Sequence, residues 1–249
     1  MKYLYTTRQD YSDFASGRVF MSFPGRPAFP VRLASEIFQR CLTAWQGEGG
    51  RGRCNLYDPC CGGAYSLSTV AFLHWEKIEY LIGSDIDEAA LELAERNLAL
   101  VTPEGMSERL NSIKAMLAEY GKTSHAEALE SARRMNDQLL TFRRKNKIKP
   151  HLFQADATNS VGLERHLSEI QADIVMTDLP YGQSSFWLGQ KKSAADYIWE
   201  MLDALISVLE KPGIAAVVTD KGQKIGHGAY RRLEQIRIGK RQITILTLN

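Results

Sequence analysis

The chain is short of net charge, of cysteine and of long apolar runs, and each shortage removes a class of function. Lysines and arginines outnumber acids by only two, so affinity for a polyanion must come from local patches rather than from the overall field. The longest apolar stretch, "GIAAVV" at residues 213–218, is far shorter than the roughly 20 residues that span a bilayer, and no membrane partner is expected. The opening "MKYLYTTRQDYSDF" has no continuous apolar segment, so no secretory signal is expected and a cytoplasmic location is. The four cysteines are Cys41, Cys54, Cys60 and Cys61. Adjacent Cys60 and Cys61 do not give the spaced ligand pairs of a zinc site and no second pair completes one, so no metal is expected. Reduced thiols in or beside a core are the ordinary reading. The loop after the first predicted strand, "DPCCGGAY", is neither G-x-G-x-x-G nor G-x-x-x-x-G-K-[ST], which disfavours a dinucleotide or a Walker-type nucleotide there.

What is there is an alternation of strand and helix patterns. The first thirty residues are aromatic-rich and irregular, with Pro24, Pro27 and Pro30 marking loop. "LASEIFQRCLTAW" carries Leu33, Ile37, Cys41 and Leu42 on one side, as an amphipathic helix does. From there "CNLYD", "EYLIGSDID", "HLFQAD", "ADIVMTD" and "IAAVVTD" read as strands. Helices are predicted at "SLSTVAFLHWEKI", after Asp87 as N-cap with Leu91, Ala94, Leu98 and Val101 as its stripe, and at "YIWEMLDALISVLEKPG", stopped by Pro212–Gly213. "RRLEQIRIG" and "RQITILTL" form a closing hairpin across Gly239–Lys240. This rhythm predicts a doubly wound, mostly parallel, Rossmann-like α/β sheet of about seven strands. Residues 1–50 are read as a loop-and-helix extension and 51–249 as the main domain. A helical insertion at 103–150 is split at "GKTSH". The insertion has ten Lys and Arg against six Asp and Glu, most of the excess in "RRKNKIK". It is either a solvated hairpin or an arm that touches phosphates.

In an open α/β sheet, ligands bind beyond the carboxyl ends of the strands. There the sequence puts Asp58 with Cys60, Cys61, Gly62 and Gly63, then Asp85 with Ile86, Asp156 with Ala157, Asp178 to Gly182, and Asp220 with Lys221. A single Asp at a strand end is usually a turn former or cap; five in register are harder to dismiss. Asp85 lies where an acid can hold both hydroxyls of a ribose, and the first loop lacks a phosphate cradle. A nucleoside without phosphates fits, and S-adenosylmethionine is one, with a methionine tail for Asp58 and the glycine turn. Asp85 would hold its ribose and Asp156 would sit near the adenine amino group.

The stretch Asp178-Leu179-Pro180-Tyr181 is a variant of the [DN]-P-P-[YF] turn of methyltransferases that act on planar nitrogen. Such a nitrogen is a poor nucleophile because its lone pair is delocalised. The Asp178 carboxylate and the Leu179 carbonyl can accept its hydrogens as the bond to methyl forms. Pro180 fixes the backbone so that both point outward, and Tyr181 offers a face for an extruded base.

Taken together, "PAFPVRLASEIFQR", "YDPCCGG", "GSDID", "ALELAERNLAL", "TDLPYG" and "IGKRQITIL" resemble the AviRa-type family of ribosomal RNA methyltransferases, over nearly the whole chain. The resemblance implies a class I methyltransferase fold. It implies S-adenosylmethionine as donor, with S-adenosylhomocysteine as product, and a guanine of 23S ribosomal RNA as acceptor, methylated at N1. The DLPYG-type turn is also similar to that of guanine-N2 enzymes. Asp178 is then the candidate base. A covalent route through Cys60 or Cys61 is disfavoured, because both belong to the cofactor loop. Guanine-N2 or adenine-N6 transfer, glutamine methylation in a protein, and a non-catalytic RNA-binding assembly factor remain as rivals. Contacts to RNA are expected from Arg8, Arg18, Arg26 and Arg32 near the N-terminus. Lys221, Lys224, Arg231 and Arg232 are expected to add to them after the fifth strand, although any one alone is ordinarily a solvated charge. A monomer is the expected state.

Overall fold

The computed structural model describes residues 2–23, 28–179 and 193–249. Within them the strands are β1 (Cys54–Asp58), β2 (Ile78–Asp85), β3 (Lys149–Gln154), β4 (Ala172–Asp178), β5 (Leu209–Asp220), β6 (Tyr230–Ile238) and β7 (Arg241–Leu248). They form one sheet in the order β3-β2-β1-β4-β5-β7-β6. Pairing is parallel from β3 to β5, and β7 runs antiparallel between β5 and β6. The helices are α1 (Val31–Gly47), α2 (Tyr65–Leu73), α3 (Glu88–Ala99), α4 (Pro103–Tyr120), α5 (Thr123–Arg143), α6 (Ser160–Leu167) and α7 (Ala194–Leu205). Among the described residues no helix is long and apolar enough to cross a membrane.

Because side chains alternate along a strand, the sheet buries two separate apolar layers. Ile174 and Met176 of β4, Ala216 and Val218 of β5, and Ile243 and Ile245 of β7 share one layer with α1, α2, α3 and the N-terminal extension. Val175, Ala215, Val217 and Leu246 face the other layer, with Leu163 and Leu167 of α6 and Ile198, Met201 and Leu202 of α7. Buried strands on both faces explain why these segments read as unbroken apolar runs.

The extension is packed into the first layer. Phe20 stacks on Phe14 at 6.0 Å and meets Tyr65 and Phe72 edge-on. Its first residues are tied by Glu36, a fully buried carboxylate that accepts the N–H groups of Leu4, Tyr5 and Thr6 at 2.8–3.0 Å. Arg40 pairs with Glu36 and also donates to the Lys2 carbonyl. The periodicity of α1 placed its apolar stripe correctly but gave no hint of this buried ion pair on the same helix.

The helical insertion is α4 and α5, within the crossover from β2 to β3, with Gly121 ending α4 in the left-handed conformation. It grips the extension. Arg109 donates to the carbonyls of Val19 and Arg18 at 2.8 and 2.9 Å. Arg134 and Ser131 both donate to Asp13, and Arg18 pairs with Glu127 at 2.6 Å.

Several boundaries differ from the sequence expectation; the helix expected through Ile78 ends at Leu73, and a short 3-10 turn at Trp75–Lys77 leads into β2. The helix expected to run to Gly213 stops at Leu205, and β5 begins at Leu209. Leu209 pairs with Ala172, and the next pairing is Ile214 with Ile174, so Pro212 falls in a bulge where its missing N–H is not needed. α6, capped by Asn159, had no counterpart in the sequence reading. Eight residues with two buried leucines are too few to establish a helical period.

Candidate functional site

The strand order reverses between β1 and β4, where crevices form in doubly wound sheets. Asp58 ends β1 and is only 5 % exposed. Its Oδ1 accepts the Cys60 N–H at 3.1 Å. Burial pushes its pKa up to about 7, with the charges of Asp85 and Asp178 acting the same way. Asp178 ends β4, and burial raises it to about 6, the Arg241 cation pulling it down and Asp220 pushing it up. Asp58, Asp85 and Asp178 thus form one electrostatic group although 120 residues separate the first from the last. Burial, reinforced by Asp58 and Asp85, holds Cys60 and Cys61 as thiols rather than nucleophilic thiolates.

The loop from Asp58 to Ala64 is pinned from β2. The Cys61 N–H donates to the Ser84 carbonyl at 2.9 Å. Gly62 donates its N–H to Asp85 Oδ2 at 2.8 Å, and Asp85 Oδ1 accepts from the Asp87 N–H. Gly62 takes a φ of +52°, which favours glycine. Gly63 serves a different purpose. A Cβ there would lie 2.7 Å from the Leu93 side chain, so its missing side chain lets α3 pack closely. Asp156 is exposed and turns its carboxylate onto the N–H and hydroxyl of Thr158. Ala157 is buried, and Ile86 is partly exposed beside Asp85. Leu179 is buried, and its N–H bonds the Val218 carbonyl at 3.1 Å. Pro180 and Tyr181 lie outside the described residues, as does Arg26.

Two residues of this region escaped the sequence reading. Asn97, fully buried on α3, accepts from the Met21 N–H at 2.8 Å and donates to the carbonyls of Met21 and Gly63 at 2.9 and 2.8 Å. One amide therefore fastens the extension to the loop from Asp58 to Ala64. An asparagine on a predicted core-facing helix was the available signal, since a buried amide must be satisfied. Arg241 opens β7 beside the carboxyl end of β5, opposite Asp220, and its guanidinium sits 5.3 Å from the Phe29 ring centroid. Only the reversed strand order brings it to Asp178.

The expected RNA-contacting cations fall into three groups. Lys221 and Lys224 are exposed beyond β5, on the rim of Asp178. Lys221 bonds the Lys240 carbonyl at 2.9 Å, which brings the tip of the β6–β7 hairpin to the same rim. Arg231 and Arg232 are a correction. β6 runs parallel to β5, so its first residues lie level with the start of β5 through Thr247 and Ile214. They sit at the opposite end of the sheet, where Arg231 pairs with Glu48 at 2.9 Å. Arg32 and Arg18 are engaged in structure: Arg32 donates to the Thr6 carbonyl and covers the Tyr3 ring, and Arg18 pairs with Glu127. Arg8 is exposed. The basic run of the insertion also lies at the amino end, where α5 enters β3, with Lys145 paired to Glu76.

A cleft of about 580 Å³ lies between the extension and the insertion, away from the carboxylates. Arg18, Arg133 and Arg134 on its walls are paired with Glu127, Glu130 and Asp13, so its cations are already engaged. Among the described residues no group of three or more His, Cys, Asp or Glu is placed to hold a metal.

Comparison with known proteins identifies the family of the chain. The family described as rRNA methyltransferase AviRa matches residues 1–241. The chain is 38% identical over 239 residues to the 23S rRNA (guanine(2535)-N(1))-methyltransferase of Streptomyces viridochromogenes, covering 96% of this chain and 92% of that one. The solved structure of the rRNA methyltransferase AviRa of the same organism superposes with a TM-score of 0.85 at 37% identity, over 97% of this chain and 94% of that one. TrmN of Thermus thermophilus, 16% identical with a TM-score of 0.50, covers 90% of this chain and 50% of its own, and shares the fold alone. The chain belongs to the AviRa family of rRNA methyltransferases.

Proposed function

We propose that the protein transfers a methyl group from S-adenosylmethionine to N1 of a guanine in 23S ribosomal RNA. The observation that carries this reading is Asp178. It is a carboxylate with a pKa of about 6 at the carboxyl end of β4, in a chain 38% identical to a guanine-N1 methyltransferase over nearly its whole length. The residues present fit the donor. The loop from Asp58 to Ala64 contains no lysine or arginine, so it suits a cationic tail and not a phosphate. Asp58 and the Gly62–Gly63 turn would meet the methionyl end. Asp85 keeps lone pairs beyond its two backbone bonds and would take ribose hydroxyls beside Ile86. Asp156 and Ala157 would border the adenine. The bound donor supplies a methyl group activated by a sulfonium.

Guanine N1 carries a proton at neutral pH, and this proton has to leave. Asp178 accepts it; a pKa near 6 makes this carboxylate a better base than an ordinary Asp, near 3.9, while leaving it ionised at pH 7. The Leu179 carbonyl orients the base edge, and Tyr181 provides the stacking face expected from the sequence. Lys221 and Lys224 meet backbone phosphates on the same rim. Ribosomal RNA as substrate implies a cytoplasmic enzyme.

The test is incubation with 23S RNA and methyl-labelled S-adenosylmethionine, followed by nucleoside mass spectrometry. N1-methylguanine is expected, with Asp178→Asn losing turnover while keeping donor affinity. N2-methylguanine, methyladenine or no incorporation would overturn the reading.

A further inference from the structure

We propose that Arg241 reads the O6 edge of the target guanine and stabilises the negative charge that gathers there as the N1 proton leaves for Asp178. The inference rests on the guanine-N1 reading. It begins from the pleat. Asp178 follows Ile174 and Met176, Asp220 follows Ala216 and Val218, and Arg241 precedes Ile243 and Ile245, all six of those apolar residues facing one layer. Asp178, Asp220 and Arg241 therefore project to the same face at the carboxyl rim. Asp178 is level with Val218, and Asp220 with Arg241. Two strand spacings, about 10 Å across, and a two-residue offset of about 7 Å along the strands separate the two backbones, and the Arg241 cation is still near enough to lower the pKa of Asp178. The Phe29 ring lies 5.3 Å from the guanidinium carbon, and packing of this kind limits where an arginine can swing.

A carboxylate beside a guanidinium matches guanine and opposes adenine. Guanine presents an N1–H donor next to the O6 acceptor, so the donor meets Asp178 and the acceptor meets Arg241. Adenine presents an unprotonated N1 next to an amino group, which sets acceptor against carboxylate and donor against cation. A mismatch of this kind leaves polar groups unpaired and discriminates strongly. The same arrangement serves the chemistry. As N1 bonds to the methyl carbon, its proton passes to Asp178, and the electron pair of the broken carbon–sulfur bond remains on sulfur. While the proton is in transfer the purine carries negative charge, shared between N1 and O6, and a fixed cation at O6 is the electrostatic device that lowers such a barrier. Charged groups that bear on Asp178 include Arg241 from β7, Asp220 from β5 and Asp58 from β1.

Arg241→Gln and Arg241→Lys test the assignment. The glutamine variant should lose roughly a hundred- to a thousand-fold in kcat, with calorimetric affinity for S-adenosylmethionine unchanged. Its acid limb should move to higher pH, because the cation that lowers Asp178 is gone, and its deficit should shrink in alkaline solution as guanine N1 deprotonates unaided. The lysine variant should recover at least part of the loss through its charge. Thermal melting reports folding; if the glutamine variant melts early, the pH profile of the lysine variant carries the test. A loss that is uniform across pH, or lysine no better than glutamine, would reduce Arg241 to a prop for Phe29 and overturn the assignment. If wild-type enzyme makes N1-methylguanine while both variants turn over normally, only this inference fails. If wild type makes a different nucleoside, the functional reading fails first.

Discussion

Replacing Asp58 by asparagine should stabilise the protein and weaken its grip on the donor, and the two effects share one cause. The carboxylate is almost entirely buried, and burial raises its pKa from 3.8 to about 7. In the unfolded chain it ionises from about pH 4 upward; in the folded chain it resists until about pH 7. Between those limits the folded state holds a proton that the unfolded state has released, so stability falls as pH rises. The deficit is absent below the unfolded pKa and complete above the folded one. A gap of about three units corresponds to at most ~4 kcal/mol, and relaxation around the charge brings the expected range to ~2–4 kcal/mol. Asparagine carries no charge, yet its amide oxygen can still accept the Cys60 N–H. For a chain of this length a kcal/mol moves Tm by about 2 °C, so Asp58→Asn should melt roughly 4–8 °C above wild type at pH 8. At pH 3 the two should coincide. Without the carboxylate a cationic tail loses a charge-assisted bond, on the order of 1.5–3 kcal/mol, so donor affinity should fall at least tenfold by calorimetry. An asparagine variant that melts no higher than wild type at pH 8, or gains equally at pH 3 and pH 8, would refute the account of Asp58 as a strained buried charge.

Other perturbations test the parts around the site. Burial pushes Glu36 up, but hydrogen bonds from Leu4, Tyr5 and Arg40 outweigh it and hold its pKa below the usual range. Its contribution is therefore present above the ordinary glutamate pKa and lost as pH falls through the depressed one. Glu36→Gln should cost about 3 kcal/mol in urea unfolding at pH 7, and the amides of Leu4 to Thr6 should exchange faster; unchanged protection would sink the latch. Asn97→Ala should cost about 2–4 kcal/mol, since it leaves polar groups of Met21 and Gly63 unpaired. Asn97→Asp should be worse, because a carboxylate would face two carbonyls. Tryptic cleavage after Arg18 and the KM for the donor should rise in both, and an inert Asn97→Asp would contradict the staple. RNA binding should weaken with salt. Removing Lys221, Lys224 and Lys240 should flatten that dependence by roughly one unit for each phosphate no longer neutralised. Removing Arg143, Arg144, Lys145 and Lys147 should leave it alone, and the reverse pattern would place the RNA at the amino end of the sheet.

The sequence by itself determined the sheet and the strand-end acids. Strands buried on both faces leave apolar runs that no surface pattern imitates, so β1, β2, β4 and the core of β5 were legible, and Asp58, Asp85 and Asp178 followed as the residues that end them. The Gly239–Lys240 turn named the β6–β7 hairpin because a two-residue connection permits little else. What the sequence could not decide was which distant residues share an edge. Arg231 and Arg232 follow β5 in the chain, yet the parallel course of β6 carries them to the far end of the sheet. Arg241, nine residues beyond Arg232, returns to the rim because β7 inserts between β5 and β6. Asn97 reads as one polar position on a helix until the extension folds over it and supplies Met21. The raised pKa of Asp58 is likewise a property of enclosure. The same side chain on an exposed turn would titrate near 4, and only the packing of the loop against β2 and β4 removes the water that would keep it there.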